Sequence, residues 1–177
     1  KTYFKTTTTD ALGNDVITLT GTRQQQIQTI LPGNIATAFI YNPLGQLLSS
    51  TDPDGSVTSH EYNMLGQRIS RKHPDAGEDR YEYDPAGNLI SHTTQNLLNN
   101  GGSIDYTYNY NQLTEIHYPE NSENDVYYFY GDNTATNNRK GRIYAIEDAS
   151  GRQEFSYGMM GEVIENIRTF ALPGDLN

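Results

Sequence analysis

The chain has no cysteine and no tryptophan, and only 34% of its 177 residues are hydrophobic. Without cysteine, neither a disulfide framework nor a thiolate metal site can form, which leaves the redox compartment open. With little aliphatic material and no indole, burial must lean on the 14 tyrosines. A tyrosine ring is apolar, but its hydroxyl still needs a hydrogen-bond partner. The composition therefore predicts a thin, partly wet sheet rather than a dry globular centre.

Basic residues are also scarce, 12 against 22 acidic ones, giving a net charge of −10. They are scattered singly, with no Lys/Arg stripe of the kind that neutralises phosphates, so nucleic acid is not an expected partner. Arg68, Arg71 and Lys72 look clustered, but His73, Asp75, Glu78 and Asp79 follow them. This mixture reads as a solvated strand edge. No run approaches the roughly 18 apolar residues of a membrane span. Lys1 leads straight into Thr-rich sequence without the charged and then apolar regions of a signal peptide. Any export signal is expected to have been removed or to lie outside these residues.

The common catalytic signatures are missing as well: there is no Gly-x-Ser-x-Gly elbow, no His-Glu-x-x-His and no Gly-x-x-x-x-Gly-Lys phosphate loop. His60, His73, His92 and His117 stand apart, each in or beside a predicted strand, and read as strand-surface histidines. Asp52, Asp54, Asp75 and Asp84 lie near predicted turns, without EF-hand or β-roll calcium spacing, and turn capping accounts for them. An acidic pair suited to glycoside hydrolysis could be any two carboxylates across a cleft, and nothing singles one out. No catalytic, cofactor-binding or metal residue is assigned, and the chain is expected not to be an enzyme.

What the sequence does contain is a repeat. The kernel [Asp/Asn]-x-x-Gly occurs at Asp10/Gly13, Asn42/Gly45, Asp52/Gly55, Asn63/Gly66, Asp84/Gly87 and Asp148/Gly151, with looser copies ending at Gly77 and Gly161. From Gly45 the glycines fall at 55, 66, 77 and 87, a turn signal every ten or eleven residues. Asp or Asn in first position caps its own backbone, and Pro43, Pro53 and Pro85 sit second, where φ near −65° is wanted. Glycine in fourth position completes a type I turn with a left-handed bulge, a common reversal for an antiparallel pair.

Between the turns lie stretches of strand length and composition, such as Ser56 to Tyr62, Asp79 to Tyr83 and Asp125 to Tyr130, with no comparable helix. Alternation places Tyr81 with Tyr83 on one face, as it does Tyr106, Tyr108 and Tyr110, then Val126, Tyr128 and Tyr130, then Phe155 and Tyr157. Tyr-x-x-x-Gly recurs at Tyr41/Gly45, Tyr62/Gly66 and Tyr83/Gly87 in steps of 21 residues, and again at Tyr157/Gly161. One full repeat is thus two strands and two turns, with the Tyr-bearing turns along one edge of a meander. Gln95 to Ser103, Glu120 to Asp125 and Gly131 to Gly141 interrupt the pattern and read as loop insertions.

The expected fold is all-β: an antiparallel β-hairpin repeat meander forming a long, twisted or curled sheet. Its expected organisation is irregular leading strands over 1–35, regular repeats over 36–95 and degenerate repeats with insertions over 96–177.

Tyr41-Asn42-Pro43-Leu44-Gly45-Gln46-Leu47, Tyr62-Asn63-Met64-Leu65-Gly66-Gln67-Arg68-Ile69 and Tyr83-Asp84-Pro85-Ala86-Gly87-Asn88-Leu89-Ile90 resemble the YD repeat of the Rhs family. Weaker copies are Tyr108 to Ile116, which lacks the glycine, and Tyr157 to Val163, where glycine replaces the acid. The resemblance spans most of residues 37 to 170. It implies large secreted or surface proteins, such as bacterial polymorphic toxins, the insecticidal toxin complexes and animal teneurins, in which the repeats spiral into a hollow shell. In bacterial members that shell encloses a toxic C-terminal domain. These members are far longer than 177 residues, so the chain is expected to be a fragment or a short relative. Asp84-Pro85-Ala86-Gly87-Asn88 approaches the family's self-cleavage sequence, but its place in the repeat makes it an ordinary turn.

Two functions follow as expectations. The first is a non-enzymatic segment of such a shell, secreted or at the cell surface, whose partner is the toxin or effector domain of its parent protein. The second is a module binding cell-surface glycans or proteins, with exposed Tyr rings stacking on sugars.

Overall fold

The structure, a computed structural model, describes residues 2–171. The chain divides into two compact units, Lys1–Tyr81 and Glu82–Asn177, the division falling inside a strand. The first unit runs through β1 (Tyr3–Thr9), β2 (Asp15–Gly21), β3 (Gln26–Leu31), β4 (Ile35–Tyr41), β5 (Leu47–Thr51), β6 (Val57–Tyr62) and β7 (Arg68–His73) into β8 (Gly77–Tyr83). Each of these strands pairs antiparallel with the next. In the second unit β9 (Leu89–Thr93), β10 (Ile104–Asn109), β11 (Gln112–His117), β12 (Val126–Tyr130), β13 (Ile143–Asp148), β14 (Gly151–Tyr157) and β15 (Val163–Phe170) do the same. The all-β antiparallel meander expected from the turn spacing is the fold observed, and β1 to β3 carry it through the less regular opening residues.

The turn chemistry is also as read. Gly45 N–H donates to the Asn42 carbonyl at 3.0 Å, and Asn42 N–H donates to the Gln46 carbonyl at 2.9 Å. Asn63 to Gln67 closes in the same way, with distances of 3.0 and 2.9 Å. Gly45 and Gly66 have φ of 85° and 84°, where a Cβ would strain against the backbone. Each Tyr sits at the bulge this geometry creates, since the register slips between Ile40 and Tyr41, between Glu61 and Tyr62, and between Ser156 and Tyr157.

Three local expectations are corrected. Gln95 to Ser103 is not all loop, because it holds the short helix α1 (Gln95–Asn100). Thr94 caps its start by accepting the Leu97 N–H, and Gly101 ends it at φ 76°. Its one buried side chain is Leu97. Glu120 to Asp125 contains a 3₁₀ turn at Ser122–Asn124. Tyr110 does not share a strand face with Tyr106 and Tyr108. The repeat lacks its glycine there, so β10 and β11 are joined by Tyr110 and Asn111 alone, and Tyr110 stands at φ 54° with its ring 93% exposed.

Burial follows from a sheet that packs little on either face. Among the described residues the buried apolar side chains are Leu97 and Ala145, and no large side chain is fully enclosed. Most strand residues are half-buried, while β1 and β15 are exposed at each position. Tyrosine suits this environment, because one end of the ring can be covered while the hydroxyl reaches a backbone carbonyl or water.

Candidate functional site

Among the described residues no closed core encloses a site, and the recurring side-chain contacts lie along the turn edges and on the tyrosine-bearing strands. In the first unit the turns are joined by side chains. Asn42 Oδ1 accepts the N–H groups of Leu44 and Gln46, both at 3.0 Å, and its Nδ2 donates to Gln46 Oε1 at 2.6 Å. Gln46 Nε2 in turn donates to the Gly66 carbonyl at 3.0 Å, twenty residues on. Asn63 repeats the local set with Leu65 and Gln67.

In two of the turns that open with Asp the fifth residue is Asn and donates to the carboxylate: Asn14 Nδ2 to Asp10 at 2.9 Å and Asn88 Nδ2 to Asp84 at 2.8 Å. Those amide donors, with the neighbouring backbone N–H groups, hold the carboxyls of Asp10 and Asp84 below their usual range. The second unit continues the link over longer distances, with Asn88 to Asn111 at 3.3 Å and Gln112 to the Gly141 carbonyl at 3.4 Å.

Two of the signature tyrosines tie their own strand to the one before it. Tyr62 Oη donates to the Leu47 carbonyl at 2.9 Å, and Tyr157 Oη donates to the Ile143 carbonyl at 2.5 Å. Burial raises the phenols of Tyr108 and Tyr130; Asp84 adds to the first, and Tyr128 and Tyr108 to the second. The rings also collect cations: Arg68 lies 4.9 Å from Tyr81, Arg142 5.3 Å from Tyr157 and Arg152 4.9 Å from Phe129. The Arg68, Arg71 and Lys72 group is met by Asp79 and Glu78, with Arg71 at 3.8 Å and Lys72 at 3.6 Å.

The four histidines fall in different settings. His73 ends β7, where its Nδ1 accepts the N–H groups of Asp75 and Ala76 at 3.1 and 3.3 Å and so caps the turn. His60 lies on β6 with a buried Nδ1 that has no hydrogen-bond partner. Burial, then the charges of Arg68 and Arg71, push its imidazole below the ordinary value. His92, on β9, stands opposite Ile104.

His117, at the end of β11, meets the buried Asp125 with Nδ1 2.8 Å from Oδ2. Asp125 Oδ1 accepts the Tyr118 N–H at 2.8 Å, so the pair closes the neck of the insertion between β11 and β12. The hydrogen bond to Asp125 raises His117 despite partial burial. Burial pushes Asp125 up, but the Tyr118 N–H and His117 outweigh it and the carboxyl lies below its usual range. Glu115 brings a third ligand-type atom to this pair, all within 4.8 Å of one another. These residues are the ones placed to hold a metal ion among the described residues, and their existing contacts already form a clasp. Sequence spacing could not reveal it, because the insertion folds back to bring Asp125 onto His117.

Of the expected turn aspartates, Asp84 caps as described. Asp54 accepts both Ser56 N–H at 3.0 Å and Ser56 Oγ–H at 3.1 Å, which holds its carboxyl low. Among the described residues, no helix is long and apolar enough to cross a membrane.

Residues 41–78 match the model of the RHS Repeat family. No curated protein sequence matches the chain significantly. Solved structures do. TcdB2-TccC3-TEV aligns with a TM-score of 0.70 at 17% identity, covering 91% of this chain and 9% of its own. A Photorhabdus luminescens Tc holotoxin pore gives the same values. TcdB2-TccC3-Cdc42 aligns with a TM-score of 0.57 at 15% identity over 90% of this chain. The chain therefore spans about a tenth of the length of the structures it matches. Residues 41–78 therefore carry the tyrosine, Asx and glycine spacing of an RHS repeat, and the chain shares the fold of the matching part of these toxin-complex structures.

Proposed function

We propose that this chain is a non-enzymatic wall segment of an Rhs shell, secreted or displayed at the cell surface, that encloses or presents the toxin or effector domain of its parent protein. The observation that carries the reading is the turn-to-turn linkage. Side chains such as Gln46 bond one turn to the next and so stiffen one edge of the meander. A wall needs continuity and rigidity more than a core, and a one-layer sheet stitched along its edge supplies both. Strands β1 and β15, exposed along their length, offer edges to which further repeat strands can add. The large parent, its cargo and its location rest on likeness to toxin-complex structures, of which this chain spans a small part.

Small-angle scattering coupled to size exclusion tests the reading. An extended or curved particle is the expected result. A compact globule whose dimensions require the meander to close on itself would overturn it.

A second reading, binding of a cell-surface glycan, is favoured by one feature: the exposed Tyr110 ring at a hairpin tip between Asn109 and Asn111. An aromatic face flanked by carboxamides is suited to a sugar ring. Silence of the chain on a broad glycan array would count against it, and retention that vanishes in Tyr110→Ala would move weight to it.

A further inference from the structure

The repeat opens its five-residue turn with Asn or Asp, but Gly21 and Gly158 hold that position in two turns. Both still close in the same way. Gly21 N–H donates to the Gln25 carbonyl at 2.8 Å and Gln24 N–H to the Gly21 carbonyl at 2.9 Å, with Gln24 taking the glycine position at φ 64°. Gly158 N–H donates to the Glu162 carbonyl at 2.8 Å and Gly161 N–H to the Gly158 carbonyl at 3.1 Å. What both turns lose is the side-chain oxygen that elsewhere accepts the third and fifth N–H groups.

At Gly158 the chain supplies the replacement itself. Glu162 folds back so that Oε2 accepts the Met160 N–H at 3.0 Å. Its carboxylate fills the missing side chain's space, 2.1 Å from where a Cβ on Gly158 would sit. A carboxylate is therefore sterically and chemically acceptable in the vacant Asx position.

At Gly21 no side-chain oxygen takes that place; the neighbour there is Ile27 Cγ2, 3.3 Å from the ideal Cβ position. Gln25 directs its Nε2 toward the next turn, 3.5 Å from the ideal Cβ position of Gly45. The space belongs to an open groove of about 580 Å³ whose walls include Gly21, Arg23, Gln25, Ile27, Phe39 and Tyr41. The N–H groups of Arg23 and Gln25 stand where those of Leu44 and Gln46 donate to Asn42. Arg23 is anchored at the wall by its own Nη1–H bond to the Pro43 carbonyl at 2.5 Å. Residues 16 to 51 contain no acidic residue, and Arg23 is their one charged side chain. In a chain of net charge −10, this stretch is locally hospitable to an anion.

We propose that the groove beside Gly21 binds a carboxylate carried on an apolar body. The carboxylate accepts the Arg23 and Gln25 N–H groups in place of the missing Asx side chain and faces the Arg23 guanidinium. The body lies against Ile27, Phe39 and Tyr41. Donors fixed by a turn, a nearby cation and an aromatic wall are the elements of a small-acid site.

Amide NMR of the full chain, titrated with 3-phenylpropionate, tests this. Saturable shifts centred on Arg23 and Gln25 are expected. With 3-phenylpropionamide, which keeps the body and removes the charge, binding should be about tenfold weaker, because charge-assisted bonds are the stronger ones. N-acetylglutamic acid α-amide separates the two sources of a carboxylate. Comparable shifts with it assign the site to an acidic side chain of a polypeptide, and shifts with phenylpropionate alone assign it to a free small acid.

Gly21→Asn should abolish binding, since its own carboxamide takes the vacancy with only a slight shift of Ile27, whose Cγ2 lies 3.3 Å from the new Cβ. Arg23→Gln should weaken binding about tenfold with the rest of the amide spectrum unchanged. Absence of shifts at Arg23 and Gln25, equal binding of the uncharged amide, or unaltered binding in Arg23→Gln would each overturn the proposal, whether or not Gly21→Asn folds.

Discussion

The two units use one repeat but hold it together differently. The first, Lys1–Tyr81, carries seven basic and eight acidic residues, a net charge of −1; the second, Glu82–Asn177, carries five and fourteen, a net charge of −9. In the first, Asn-headed turns recur and Gln46 bonds the next turn directly. In the second, insertions stretch the spacing and the Asx kernel is lost at Tyr110 and at Gly158. The loss at Gly158 is met by Glu162, which replaces the Asx oxygen, while the His117–Asp125 clasp closes the widened neck and all four arginines lie against aromatic rings. At Gly158 the repeat thus tolerates loss of its consensus residue because a backbone donor finds another acceptor close by.

That contrast can be broken most forcefully at the glycines. Gly55 and Gly151 both have positive φ, but a Cβ at Gly55 meets open space while one at Gly151 would stand 2.0 Å from the Thr169 carbonyl oxygen. Gly151→Ala should cost on the order of 3 kcal/mol or more, in the class of changes with severe backbone strain. Gly55→Ala should cost about 1 kcal/mol, the penalty of left-handed geometry alone. Hydrogen exchange read on β14 and β6 reports each effect in its own unit, and equal losses would mean that close backbone approach is not what distinguishes the second.

Next in size are the tyrosine ties. Tyr62→Phe and Tyr157→Phe each remove one hydroxyl bond to a carbonyl and should destabilise their own hairpin by about 1 kcal/mol. A similar loss in both would show that this device is shared. A negligible effect of Tyr157→Phe would show that the Arg142 contact on that ring compensates.

Acid should separate the units by sign. His60 has a folded pKa below its ordinary value, so its contribution is intact above the unfolded pKa near 6.5 and is lost as pH falls below it. His117 is raised, so its contribution is complete below about 6.5 and is lost as pH rises through the higher folded value. Exchange protection around β6 should therefore fall on acidification while that of the 118–125 segment rises. His117→Gln should remove the second trend and leave the first. Parallel trends in both segments would contradict the two environments described.

The smallest expected effect is at the rings. Arg168, 5.1 Å from Phe170 on exposed β15, should contribute about 0.5 kcal/mol, so Arg168→Gln should change local protection by less than the tyrosine variants.

The Tyr, Asx and glycine spacing made the strands, the turns and their type legible because each turn is closed by residues within five positions of one another. Asn63 and Gln67 show how local the information is, since the bond between their side chains is set by chain geometry alone. Helix α1 was signalled just as locally, by Thr94 ahead of Leu97 and by Gly101, but a strand-and-loop reading of an Asn-rich insertion passed over these caps. The clasp was not legible, because the path of residues 118 to 124 decides whether Asp125 faces His117 or solvent. His73 likewise reads as a surface residue until the turn after it places two N–H groups on its ring.

By itself, then, the sequence determined the repeat, the antiparallel order of the strands, the left-handed glycines and the reliance on tyrosine, because short-range sterics and period-two patterning dictate all of them. The tertiary structure decided which turns are joined, which histidine is paired and which left without a partner, and that one vacant Asx position is filled by Glu162 while the other stays open beside Arg23. Those outcomes depend on where side chains from neighbouring turns reach, a distance that spacing along the chain does not encode.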